Sequence, residues 1–217
     1  MKYQEHLHSH RFALSIVETE DEIKPLWNEI KTAIENITDQ DIIDNYLNRP
    51  NRGKSISASI NQLLKEQFIN MGWFAESPIF NDASYNHNEN WRLDYAKEDV
   101  SVEVAFNHSG VIAWNLLKPV LASELNHVEK AIQTRVGVII CATDDLRRAG
   151  GFDSAVGTYE KFLKHLPPLN NQLSVPLVII GLEAPETFEI VHQCKKGSTT
   201  KIGYVVMLET GEVLPTI

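Results

Sequence analysis

The chain has 217 residues, of which 43% are hydrophobic and 23% are charged, and its formal net charge is −9. This composition predicts one globular domain with a full core, and the acidic charge argues against a nucleic-acid binder with a basic surface without excluding one that keeps its cations inside a cleft. The sequence has no apolar run of about eighteen residues and no secretory signal pattern, so we expect a cytoplasmic protein without a membrane span. Its two cysteines lie far apart, so we expect neither a disulfide nor a cysteine metal site.

The first 75 residues predict one strand and two helices. Alternating apolar residues in "RFALSIVET" favour a strand. The segment "EDEIKPLWNEIKTAIENI" has apolar residues at the helical period, and so does "SASINQLLKEQFINMGW", which Gly72 ends. Between these helices, "TDQDIIDNYLNRPNRGKS" is polar and carries turn signals at its end.

The rest of the chain predicts a sheet with helices around it. A loop, "NDASYNHNEN", precedes two strand-like stretches joined by "AKED", and a helix with a bend at Pro119 follows. The apolar runs "VGVIICAT" and "PLVIIGLE" are typical of strands buried on both faces, with a loop and a helix near residues 158–166 between them. The end of the chain predicts a hairpin through Glu209 and Gly211. The predicted fold class is α/β, with a mixed central sheet flanked by helices.

Two carboxylates in "WRLDYAKEDVSVEVAFNH" are the main candidates for chemistry. Strand alternation places Glu103, Ala105 and Asn107 on one face, and the "AKED" turn brings Asp94 back toward Glu103. Two neighbouring carboxylates require a cation, and oxygen ligands on a rigid strand suit Mg²⁺. The alternative is a surface hairpin whose acidic residues pair with Lys97 or Arg92.

An ordered set of segments resembles the type II restriction endonucleases of the BglII and BstYI kind, relatives of BamHI within the PD-(D/E)xK nuclease superfamily. The string "LDYAKEDVSVEVAFN" is similar to their active-site hairpin. The resemblance extends up to about residue 185 through four further segments, "LWNEIKTAIENI", "SASINQLLKEQFINMGWFAES", "DSAVGTYEKF" and "VPLVIIGLEAP". It implies a restriction-endonuclease-like core in a single domain over 1–217, with a helical part at about 20–75, a catalytic core at about 76–185 and a hairpin-like tail at about 186–217.

The resemblance also implies roles for individual residues. Asp94 matches a metal-bridging aspartate, Glu103 a second metal ligand, and the main-chain carbonyl of Val104 a third. Glu76 matches a position near the metal, although a solvated residue after a helix is an equal alternative. The departure is Ala105, where the superfamily has Lys, Glu or Gln to position or activate the attacking water.

Three accounts of Ala105 stay open. A neighbouring side chain, with Asn107 the first candidate and His108 and Lys97 the others, takes over the missing role. Alternatively, a second metal ion activates the water without a side-chain base, or the protein binds DNA and cuts it slowly, because losing a general base typically costs about 10²–10⁴-fold in rate.

DNA contacts are expected from two segments. Asn107 and His108 follow the catalytic strand and can hydrogen-bond base edges, with Lys97 nearby. Asp153 and Ser154 lie in the glycine-flanked "GGFDSAVGTYE", where the resemblance implies a recognition loop, although a helix N-cap is the alternative. Two further cations, Arg147 and Arg148, are candidates for phosphate contacts.

The expected function is a Mg²⁺-dependent, sequence-specific double-stranded DNA endonuclease that cuts a short palindromic site. A GATC core is an extrapolation from the relatives. The alternative is a catalytically weak or inactive DNA-binding module of the same fold. A palindrome calls for a homodimer, and the helix around Trp114, Leu117 and Leu121 is a candidate interface unless that side packs on the protein's own sheet.

Overall fold

A six-stranded mixed sheet forms the centre of the molecule, as predicted, and helices cover both faces. The computed structural model describes residues 1–50, 52–86, 89–124, 128–194, 199 and 201–214. The strands are β1 (Leu7–His10), β2 (Phe74–Pro78), β3 (Arg92–Lys97), β4 (Val100–Ala105), β5 (Val136–Ala142), β6 (Leu177–Leu182), β7 (Phe188–Cys194) and β8 (Lys201–Met207). The helices are α1 (Ala13–Thr19), α2 (Lys24–Glu35), α3 (Asp39–Asn48), α4 (Ser57–Asn70), α5 (Ala83–Asn86), α6 (Ile112–Ser123), α7 (Asp144–Ala149) and α8 (Tyr159–Leu169).

The central sheet has the strand order β1-β6-β5-β4-β3-β2. Strands β4, β5 and β6 run parallel, whereas β1, β3 and β2 pair antiparallel with their neighbours. All residues of β5 and β6 are buried, which confirms the interpretation of the two continuous apolar runs as internal strands.

Strand β4 divides its side chains between two cores. Val100 and Val102 pack in the larger core, together with residues of α2 and α4. Ala105 points to the opposite face and packs in a second core with residues of α6 and α8. Alternation places Glu103 on this second face, so helix α6 lies on the same side of the sheet as the carboxylate.

The predicted strand in "RFALSIVET" is wrong, because this segment forms helix α1 and the strand lies earlier, at Leu7–His10. Ala13 and Val17, four residues apart, face the core, whereas Phe12 is 83% exposed with a left-handed backbone. The alternation of apolar residues therefore does not reflect a strand. The buried residues of this segment have the four-residue spacing of a helix.

Helices α2, α4 and α8 confirm the three helices predicted at these places. Helices α3 and α7 were not predicted, although each has a capping residue in the sequence. The hydroxyl of Thr38 accepts a hydrogen bond from the Asp41 backbone N–H in a capping box, and Thr143 accepts one from the Leu146 N–H. These caps satisfy backbone donors that short helices otherwise leave exposed.

The remaining segments agree with the predictions in part. The loop predicted at "NDASYNHNEN" contains the short helix α5, and residues 87–88 of it lie outside the described residues. Pro119 lies inside α6, which continues to Ser123. The tail is a hairpin, but its paired strands are β7 and β8, and the predicted turn near Gly211 follows β8. No helix in the described part of the chain is long and apolar enough to cross a membrane.

Candidate active site at the open end of a hairpin

The β3–β4 hairpin brings Asp94 and Glu103 together at the point where its strands part. Regular pairing runs from Lys97 opposite Val100 to Tyr95 opposite Val102. Beyond this pair, the backbone N–H groups donate to carboxylate side chains instead of to the carbonyl groups of the opposite strand. The Asp94 N–H donates to Glu103 Oε1 at 3.2 Å, and the Val104 N–H donates to Asp94 Oδ2 at 2.7 Å. The two carboxylates thus lie beside each other, as the "AKED" turn predicts.

Glu103 is almost completely buried, with 2% of its surface exposed. Burial, reinforced by the negative charge of Asp94, raises the pKa of Glu103 to about 8, and the neighbouring Lys118 opposes this rise. The surface-hairpin alternative is therefore wrong for Glu103. A buried carboxylate beside a second one is unfavourable unless cations compensate both charges.

Burial also raises the pKa of Asp94, and the charge of Glu76 adds to this effect. The hydrogen bond from the Val104 N–H and the positive charge of Lys118 act in the opposite direction. Both members of the pair are thus destabilised as anions by their surroundings. A divalent cation between them would relieve the cost of their negative charges.

Glu76 approaches the pair through an unusual backbone conformation. Its neighbours Ala75 and Ser77 pair with Tyr95 and Leu93 of β3, which leaves Glu76 opposite Asp94. The φ of Glu76 is 52°, a left-handed value that non-glycine residues rarely adopt. Such strain is concentrated at functional sites and costs on the order of 1–3 kcal/mol.

The two carboxylates open into a polar cleft between α4, β2, the hairpin and α6. Helix α6 contributes Lys118, whose Nζ donates to Glu103 Oε2 at 2.7 Å, and Asn115, whose amide donates to Asn107 Oδ1 at 3.3 Å. The cleft is lined by Asn61, Gln62, Lys65, Glu76, Asp94, Tyr95, Glu103, Val104, Asn107, Asn115 and Lys118. Sequence reasoning identified Glu76, Asp94, Glu103, Val104 and Asn107, and missed Lys118.

Other predicted residues lie outside this cleft. The ammonium of Lys97 binds both oxygens of Glu29 and the Met71 carbonyl. His108 follows Asn107, and its Nδ1 accepts from the Gly110 N–H. Arg147 and Arg148 pair with Asp144 and Asp145.

Asp153 and Ser154 line a second polar pocket, together with Lys54 and His192. The Asp153 carboxylate accepts from the Ala155 N–H and closes a local turn. Helix α8 begins after Thr158, so the alternative of Asp153 or Ser154 as its N-cap is wrong.

The oxygen atoms of the cleft fit a divalent metal ion that takes only a few of its ligands from the protein. Among the described residues, no group of three or more His, Cys, Asp and Glu side chains is placed to hold an ion. Two carboxylates and a main-chain carbonyl, completed by water and a phosphate oxygen, are the kind of set that Mg²⁺ uses in phosphoryl-transfer sites.

A family model described as "Restriction endonuclease BglII/BglIII" matches residues 6–182, which is most of the chain. The chain belongs to this family. Membership in the BglII/BglIII family makes the chain a type II restriction endonuclease, a DNA-binding hydrolase that cuts at a specific sequence. Restriction endonucleases generally use a divalent metal, in agreement with the donor set of the cleft.

Two solved structures are similar in fold. A crystal structure of the restriction endonuclease BglII complexed with a DNA 16-mer matches with a TM-score of 0.63 and 18% identity, over 95% of this chain and 91% of that chain. Free BglII matches with a TM-score of 0.53 and 19% identity, over 99% of both chains. These matches confirm the predicted restriction-endonuclease-like fold. No curated protein matches the chain in sequence.

Proposed function

We propose that the chain is a Mg²⁺-dependent endonuclease of the PD-(D/E)xK superfamily, related to BstYI as well as BglII, and that it cuts a short palindromic site in double-stranded DNA. The carrying observation is the buried pair of Asp94 and Glu103 at the open end of a hairpin, inside a polar cleft. A GATC core for the site is an extension of the resemblance to these relatives.

In this proposal, Asp94, Glu103 and the main-chain carbonyl of Val104 hold the ion, and Glu76 adds negative charge beside it. When bound, Mg²⁺ polarises a phosphoryl oxygen and increases the acidity of the attacking water. The Val104 N–H fixes the Asp94 carboxylate, and the Asp94 N–H fixes that of Glu103. The backbone thereby orients both ligands before DNA binds.

The proposed DNA contacts come from two sides. Asn107 follows β4 and lines the cleft, His108 comes directly after it, and Asp153 and Ser154 form the recognition loop near Lys54 and His192. Lys97 can contact the DNA backbone only if DNA displaces its ammonium from Glu29. We further propose that the whole chain acts as a single cytoplasmic endonuclease domain.

The alternative is a DNA-binding module with weak or no cleavage, which Ala105 favours because alanine cannot position or activate a water molecule. Incubation of the protein with phage DNA and Mg²⁺, followed by gel electrophoresis, separates the two functions. Discrete bands support the proposal, and mapping their ends gives the site. Intact DNA that still shifts in a binding assay supports the alternative.

Asn107 is the first candidate for a side chain that replaces the missing group at position 105, because it lies on the same face of the strand. Asn107→Ala is expected to slow cleavage more than it weakens DNA binding, because the amide lines the cleft and contacts Asn115. His108→Ala and Lys97→Ala test the other two candidates in the same single-turnover and mobility-shift assays. Three variants that cut at the wild-type rate would exclude rescue by these side chains.

A two-fold dimer is expected, because each strand of a palindrome needs its own catalytic unit. The α6 residues suggested as an interface pack within the chain. Trp114 contacts Trp91 with ring centroids 5.2 Å apart, and Leu117 and Leu121 pack against buried clusters. The dimer proposal therefore does not rest on these three residues. Light scattering with and without a short specific duplex measures the assembly, and one chain per duplex making concerted double-strand cuts would contradict the dimer.

A further inference from the structure

Position 105 lies where helix α6 packs on the sheet. Ala105 is 2% exposed and lies in an apolar cluster with Ile112 and Leu116 of α6. The helix approaches the sheet closely, since a Cβ atom built on Gly137 of β5 would lie 2.4 Å from the Cβ of Pro119. A lysine or glutamate at position 105 would therefore project into a packed apolar layer.

The same helix places a cation on the face of the sheet that position 105 shares with Glu103. The Lys118 ammonium lies 2.7 Å from Glu103 Oε2, and its side chain is only 12% exposed. An ammonium has three N–H donors. In the described part of the chain, Glu103 is its one hydrogen-bond acceptor, so two donors remain for a molecule that enters the cleft.

The neighbouring cationic side chains do not contact Glu103 as Lys118 does. Lys97 is held by Glu29 and the Met71 carbonyl, and Lys65 lines the cleft from α4, across from the hairpin. Among the described lysines and arginines, Lys118 is the one that forms an ion pair with a carboxylate of the candidate site.

We propose that Lys118 supplies from helix α6 the polar group that Ala105 cannot supply, and that its ammonium contacts the scissile phosphate and the attacking water. This inference rests on the proposed function. It makes Lys118 a catalytic residue outside the hairpin that carries the two carboxylates.

The chemistry requires no proton from or to Lys118. The water oxygen forms a new bond to phosphorus, the ester P–O bond breaks, and the proton lost by the water is balanced by the proton that the leaving oxygen gains from solvent. The ammonium stays charged throughout. Its free donors hold the water in line and stabilise the negative charge that grows on the phosphate oxygens.

The first test is single-turnover cleavage of phage DNA at saturating Mg²⁺. Lys118→Met, which keeps the length and removes the charge, is expected to be about 10²–10³-fold slower, the usual cost of losing one donor to a developing oxyanion. Lys118→Arg should recover part of the rate. The matched control is Lys2→Met, which removes the lysine of an exposed ion pair with Glu186 and should cut at the wild-type rate.

The second test does not depend on cleavage. In an Asp94→Asn background with Mg²⁺, the logarithm of DNA affinity is measured against the logarithm of salt concentration. Loss of one phosphate contact should reduce the magnitude of the slope by about one in Lys118→Met. If Lys118→Met melts below the assay temperature, Lys118→Gln, whose amide can still donate to Glu103, replaces it with the same expectations.

Wild-type cleavage by Lys118→Met would overturn the proposal and leave Lys118 as a counter-ion of Glu103. A slower rate with an unchanged salt slope would also overturn it, because Lys118 would then act only by positioning Glu103. Failure of the proposed function looks different: Asp94→Asn would cut as well as the wild-type protein.

Discussion

Asp94→Asn and Glu103→Gln are each expected to abolish cleavage while leaving the fold and most DNA binding intact. Each change removes one of the two carboxylates that would hold the metal, and metal-ion catalysis contributes several kcal/mol of transition-state stabilisation. At about 1.4 kcal/mol for each factor of ten, the loss should reach about 10³-fold or more. Single-turnover cleavage of phage DNA measures the effect, and a mobility-shift assay measures retained binding.

The fold should survive these changes because the replacements keep the hydrogen bonds from the backbone. An asparagine at position 94 can still accept from the Val104 N–H, and the one oxygen of a glutamine at position 103 can still accept from the Asp94 N–H, whereas the contact of Lys118 with the second oxygen is lost. Asp21→Asn, at an exposed position in the turn before α2, is the matched control and should cut normally. Undiminished cleavage by both site variants would rule out this assignment of the active site.

Gly137→Ala is expected to lower both the free energy of unfolding and the cleavage rate. The added methyl group would meet the rigid ring of Pro119 at 2.4 Å and a Leu177 methyl group at 2.7 Å, so helix α6 must move away from the sheet. Overpacking of this kind typically costs about 1–3 kcal/mol. Since α6 carries Asn115 and Lys118 into the cleft, a displacement of about 1 Å can also slow the reaction by up to about 10²-fold.

Urea unfolding measures the stability loss, and single-turnover cleavage well below the unfolding midpoint measures the effect on the site. Gly53→Ala is the control, because its added methyl group would meet no atom closer than 3.9 Å. Alanine stabilises a strand more than glycine does when neither makes contacts. A loss of stability in Gly137→Ala therefore results from the contact with α6. Unchanged stability and rate would mean that the helix does not depend on this close approach.

The local periods of the sequence predicted much of the fold. The structure contains the two strands predicted from apolar runs, β5 and β6, and the two helices predicted from apolar stripes, α2 and α4. A strand buried on both faces and a helix buried on one face each leave a regular pattern of apolar residues in the sequence. The N-terminal segment shows the limit of this reasoning. Its alternation matched a strand, but Ala13 and Val17 decided for a helix through contacts with the rest of the core.

The sequence by itself determined the carboxylate pair and the defect beside it. Strand alternation and a short turn place Asp94, Glu103 and Ala105 correctly, because these relations depend only on the backbone within a few residues. Only the tertiary structure decided that Glu103 is buried and that Lys118, fifteen residues further along the chain, lies against it. That contact depends on where α6 crosses the sheet, and the close packing of Pro119 on Gly137 sets this position. No local period of the sequence encodes such an approach between separate elements.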